Sequence, residues 1–104
     1  MSEKYQGWTN YGTWAVALWI DNDPKLYEHK LEITKSLFDG NGSDENKLYD
    51  LTKNIEFWVI HKYHYDANIK NRMLEDLIVW AIELVDYRQI AKAWIADYKE
   101  GMAV

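Results

Sequence analysis

One proline and five glycines are the only strong breakers in this chain of 104 residues. Two of the glycines, Gly40 and Gly42, share one loop. The segments between breakers are therefore long enough for helices of three turns or more, and few other structures tolerate so little punctuation. The clearest segment is the last. Asp86 is placed to cap it, and Tyr87, Ile90, Ala91, Trp94, Ile95 and Tyr98 recur at i, i+3, i+4, i+7, i+8 and i+11. Gly101 is expected to end that helix in the left-handed conformation.

Four more helices are read the same way. The first runs from about Asn10 to Asn22, with Thr9 or Asn10 as N-cap. Tyr11, Trp14, Ala15, Leu18 and Trp19 form its expected inner face, with Val16 and Ile20 on the flank. Asn22-Asp23-Pro24 is a stop and restart, since proline at the first helical position loses no hydrogen bond and Asp23 can cap. The second helix spans about Pro24 to Phe38. The third, about Asp44 to Tyr63, is capped by Ser43 or Asp44 and carries Leu48, Leu51, Ile55, Trp58, Val59 and Tyr63 at helical period. Its stretch Ile55 to Ile60 is β-branched and aromatic, but no second strand-like run exists to pair with it. A break near Tyr65 to Asn68, with Asp66 or Asn68 capping, leads to a fourth helix over about Ile69 to Leu84. There Ile69, Met73, Leu77, Trp80, Ala81 and Leu84 are expected to face the core. The expected fold is all-α, a single domain over residues 1–104 with four or five helices.

Seventeen acidic against twelve basic residues give a net charge of −5. That is unlike a phosphate-neutralising protein, and too mild and interspersed for a polyanion imitating DNA. The absence of cysteine excludes disulfides, thiolate metal sites and cysteine nucleophiles. No apolar run approaches the length of a membrane span and no signal peptide is visible, so a cytoplasmic location away from membranes is expected.

Four parts of the sequence could carry chemistry. His61 and His64 would share a helix face beside Asp66, but a third strong metal ligand at a recognisable offset is missing. Asp39, Asn41, Ser43 and Asp50 occupy positions one, three, five and twelve of a calcium-type loop. Asp44 stands where that loop needs glycine, and Asp50 is one methylene shorter than the usual glutamate. No nucleophile, base and orienting group are grouped, no carboxylate pair stands out, and Gly40 and Gly42 lack the lysine of a phosphate loop. No enzyme activity, metal or cofactor is therefore expected. The one basic and aromatic interval, residues 61–72, offers Lys62, Lys70 and Arg72, with Arg88 and Lys92 as extensions, for an alternative role in nucleic-acid binding.

Six tryptophans and eight tyrosines stand against two phenylalanines. Such side chains need a partner for the N–H or O–H when buried, and they are enriched at interface hot spots. Tyr5, Trp8, Tyr49, Tyr65 and Tyr98, near helix ends or off the main stripes, are the candidates for an interface. It could be with another protein or with a second copy of the chain.

The stretch Gly7-Trp8-Thr9-Asn10-Tyr11-Gly12-Thr13-Trp14-Ala15-Val16-Ala17-Leu18-Trp19 resembles a family of small, functionally unassigned proteins carried by phages, plasmids and related mobile elements. Their pattern runs roughly W-T-N-[YW]-x-T-W-x-[VI]-x-L-W. Val85-Asp86-Tyr87-Arg88-Gln89-Ile90-Ala91 is similar to the family's terminal V-[DN]-[WY]-x-x-[IL]-A. The resemblance implies an accessory protein that binds and modulates a host or defence protein, an anti-restriction or anti-CRISPR inhibitor being one form. A structural reading of the same motif has Trp8 stapled onto the first helix, and Trp14 and Trp19 packed against Trp94 and Tyr98.

Overall fold

The structure is a computed structural model that describes residues 6–102. Every regular element of the described residues is helical, without a strand: α1 (Tyr11–Asn22), α2 (Pro24–Asp39), α3 (Asp44–Phe57), a π-helical segment (Trp58–Tyr63), α4 (His64–Ala67), α5 (Arg72–Glu83) and α6 (Tyr87–Met102). Helix α3, the π-helical segment and α4 follow one another without a break, so the chain folds as five helical rods and the all-α expectation holds.

Each rod starts where a short polar side chain answers the orphan N–H groups of a first turn. Asn10 accepts from Thr13 N, Asp23 from Lys25 N and Leu26 N, and Ser43 from Asn46 N. Asp86 accepts from Gln89 N. The fifth cap is Asn71, accepting from Leu74 N, where Asp66 or Asn68 was expected. Asn68 instead ends α4 in the left-handed conformation (φ 49°), a role that asparagine fills with least strain after glycine. Gly101 does not end α6; it lies within the helix, which continues to Met102.

The core lies between α3 and α6, with α1 and α2 closing its sides. Leu48, Leu51 and Ile55 of α3 meet Tyr87, Ile90, Ala91 and Trp94 of α6, and α1 adds Ala17 and Ile20. Trp94 is met edge-on by Trp58 at 6.4 Å between ring centres. In α1 the inner face is Thr13, Ala17 and Ile20. The expected face is therefore turned: Trp19 is 70% exposed, and Tyr11 and Leu18 also face water. Thr13, Ala17 and Ile20 fill the inner side, and Trp14, Ala15 and Val16 are half-buried on its flanks.

The two stretches singled out at the ends of the sequence meet in a polar clasp. Thr9 N donates to Gln89 Oε1 at 2.8 Å, and its hydroxyl lies 2.8 Å from Asp86 Oδ2 and 2.9 Å from Gln89 Oε1, with one proton to share. Gln89 Nε2 donates back to Gly7 O at 3.1 Å. Asn10 Nδ2 donates to Leu84 O at 2.8 Å, and Asp86 N to Thr13 Oγ1 at 2.9 Å. Trp8 packs half-buried against the core from this end.

Candidate interaction site on helix α5

Helix α5 hangs between two anchors. At its C-terminal end, beside the clasp, Tyr87 Oη donates to Ile82 O at 2.6 Å, and burial pushes that phenol above its ordinary pKa. At its N-terminal end His64 Nε2 meets Glu75 Oε1 at 2.9 Å. Between the anchors the π-helical segment packs along it, and Gly12 of α1 comes close to the Ala81 carbonyl near its C-terminal end. The molecule measures 46 × 30 × 25 Å along its principal axes.

The inner face of α5, with Val79 and Ile82 half-buried, borders a cleft of about 770 Å³ opposite Ile60, His61, His64 and Asp66. The wall opposite α5 includes part of the π-helical segment. The wider ring there carries an extra residue per turn, which breaks the phase of the α3 stripe and turns the following residues away from the core. Tyr63, expected on that stripe, is consequently on the exposed side, its phenol raised by burial and by the carboxylates of Asp23 and Asp66. His29 stacks on Trp58 at 3.7 Å between ring centres; burial lowers its pKa, against the pull of Glu32 and with help from Lys62.

The outer face of α5 is a different matter. No residue of the helix is buried. Met73 is 66% exposed and Trp80 64%, and Leu74, Leu77 and Leu84 are exposed beside them. This corrects the expectation that Met73, Leu77, Trp80 and Leu84 face the core: the core-side residues are Ile78, Val79 and Ile82, on the opposite side of the helix. A helix with two apolar faces gives one clean period and no indication of which face is inside. The surface was missed for that reason; the legible signal was the second face itself, since a five-rod chain has no layer left to cover it.

Of the expected interface residues, Tyr49 and Tyr65 are exposed, Trp8 and Tyr98 are half-buried, and Tyr5 lies outside the described residues. Tyr98 meets Phe38 at 4.9 Å between ring centres with the rings inclined by 58°, and donates to Asp39. The structure does not gather these side chains on one surface element: Tyr49 is on α3, Tyr65 on α4 and Tyr98 on α6.

Lys62, Lys70 and Arg72 are exposed around the α4–α5 corner. Arg88 and Lys92 sit on α6, where Arg88 pairs with Glu45 at 3.4 Å. Among the described residues no group of three or more histidine, aspartate or glutamate side chains could hold a metal ion. The calcium-type loop is not formed either. α3 already begins at Asp44, Ser43 is its cap, and both oxygens of Asp39 are taken, by Lys35 at 2.7 Å and Tyr98 at 3.2 Å. No helix among the described residues is long and apolar enough to cross a membrane.

No curated protein and no solved structure matches the chain. A family model, described as a family of unknown function (DUF7249), matches residues 1–97 and so includes both halves of the clasp and the whole of α5. The chain belongs to that family.

Proposed function

We propose that the protein acts by binding another protein through the outer face of α5 and modulating it stoichiometrically. The observation that carries this reading is a helix with no buried residue whose large apolar side chains, Met73, Leu77, Trp80 and Leu84, stand in water at helical spacing. Contiguous apolar surface of this kind on a small chain marks a place where something docks, and tryptophan is the side chain that most often anchors such a contact. The resemblance of the N-terminal motif to mobile-element proteins supports the role of an accessory protein acting on a host or defence protein, such as an anti-restriction or anti-CRISPR inhibitor. The net charge of −5 suits occlusion of a basic groove on the target.

The test is affinity capture from bacterial lysate, with and without nuclease, using the native chain and Trp80→Ser. A protein retained near stoichiometry despite nuclease, and lost with Trp80→Ser, supports the reading. Capture that vanishes with nuclease overturns it in favour of nucleic-acid binding at Lys62, Lys70 and Arg72. Capture indifferent to Trp80→Ser removes α5 from the contact.

A further inference from the structure

The exposed side chains of α5 are not scattered over its outer face. Met73, Leu77, Trp80 and Leu84 are separated by four, three and four positions, which is the spacing of a seam that packs against another helix. Leu74 and Ala81 widen one border of the seam. The other border carries Asp76 and Glu83, one heptad apart and both exposed, Glu83 standing between the seam and the rim of the inner cleft. Neither carboxylate is paired with a cation in any ion pair among the described residues; the basic partners of the chain's salt bridges go elsewhere, to Asp21, Asp39, Asp44, Glu45, Glu56, Glu75 and Asp97.

We infer that this face takes a helix from a partner protein with an apolar seam of its own and lysine or arginine along the border that meets Asp76 and Glu83. The inference rests on the interaction reading above and names the chemistry of its partner. Charge decides against a second copy of the chain as occupant. Two α5 seams packed antiparallel set like flank against like flank, so Asp76 of one chain faces Glu83 of the other, acid against acid at both symmetric ends. A basic helix turns the same two positions into attractive rim contacts, which speed encounter and fix the register of docking. Trp80, in the middle of the seam, supplies the apolar anchor.

The probes are two fluorescein-labelled synthetic helices with leucine at their seam positions, one with lysine along both borders and one with glutamate in place of every lysine. Each is titrated by anisotropy against the full chain, against Trp80→Ser, and against the double variant Asp76→Lys, Glu83→Lys. The lysine peptide is expected to bind the native chain at least about tenfold more tightly than its glutamate twin, with the gap narrowing as salt is added. Trp80→Ser is expected to weaken the lysine peptide by about tenfold or more, and the double variant to reverse the preference. All three positions are exposed, so the thermal melts of the variants should stay close to that of the native chain.

Absence of binding by the lysine peptide, equal binding by its twin, or binding that survives Trp80→Ser overturns the inference. So does sedimentation showing a dimer of the native chain that Trp80→Ser dissociates, since the occupant is then a second copy. A cellular protein lost with Trp80→Ser but indifferent to the double variant leaves the interaction reading standing and removes this one.

Discussion

The hydroxyl of Thr13 accepts the backbone N–H of Asp86 at 2.9 Å and donates to Asn10 Oδ1 at 2.7 Å, so one side chain with no solvent exposure closes both its own helix and the start of α6, 73 positions away. Valine has nearly the same shape and none of this capacity. Thr13→Val leaves the Asp86 N–H without an acceptor and is expected to cost about 2 kcal/mol, a fall in Tm of roughly 10 °C. A melt within a degree or two of the native chain contradicts this account of the clasp.

Thr9 and Asp86 are expected to be coupled. Asp86 caps α6 through Oδ1 and faces the Thr9 hydroxyl through Oδ2. Asp86→Ala alone should cost about 1–2 kcal/mol through the lost cap. A double-mutant cycle with Thr9→Val should return a coupling of about 1 kcal/mol in urea unfolding, and a coupling near zero means that the pair makes no net contribution.

The tryptophans divide sharply. Trp94 is 3% exposed in the centre of the core, and Trp94→Ala is expected to cost about 3–5 kcal/mol. Trp80→Ala is expected to change stability by no more than about 0.5 kcal/mol, because the ring is already in water. Equal losses at both positions are incompatible with the placement of α5.

Lys30 tests a buried charge. Its Nζ meets Asp21 at 2.8 Å and lies 5.6 Å from the centre of the Trp94 ring, while its side chain is almost wholly enclosed. Methionine fills the same tunnel, and the abandoned Asp21 is half exposed and can be rehydrated, so Lys30→Met should fall within about 1 kcal/mol of native. Lys30→Ala empties the space beside Trp94 and should cost about 2 kcal/mol more. The two unfolding curves compared side by side decide whether packing or charge holds this position.

His29 has a signed pH dependence. Stacking on Trp58 removes water from the imidazole and lowers its pKa below the ordinary histidine value. The fold thus favours the neutral ring: its contribution is complete above the unfolded-state value and is lost as pH falls through the lower folded value. An NMR titration should place the His29 midpoint below that of a free histidine, and Trp58→Ala should raise it. A midpoint unchanged by Trp58→Ala rules out burial as the cause.

Helix positions and most caps were legible because they are local. The spacing of Tyr87, Ile90, Ala91 and Trp94 alone identifies the inner face of α6, and Ser43 and Asp86 declare their helices by side-chain chemistry. Which face of α1 and α5 turns inward is not local. In α1 the buried Thr13 hydroxyl takes the Asp86 N–H, so Thr13 and Ala17 go inside and Trp19 is turned outward, against the ranking by hydrophobicity. In α5 both faces are apolar, and only the tertiary position of the π-helical segment shows that Val79 and Ile82 are the inner pair. The π-helical turn itself has no sequence signature in Trp58 to Tyr63, and its phase change is what moved Tyr63 to the exposed side. The aromatic surplus is visible in the sequence, and Tyr49 and Tyr65 are exposed as expected, but Trp8 and Tyr98 are half-buried, and Trp80 lies on a stripe whose spacing reads equally well as core.

The clasp also sets an order of assembly. Residues 9–13 leave the ribosome 73 to 80 positions ahead of Asp86 and Gln89, which fix them, so the ring they close is a long one. Until then α1 has its own cap and its packing on α2, with the Asp21–Lys30 pair between them, but none of the polar contacts that tie its start to α6. Helix α1 is thus made well before the residues that fasten its start, and a chain stalled before Leu84 keeps that end open however well its α2 and α3 have packed.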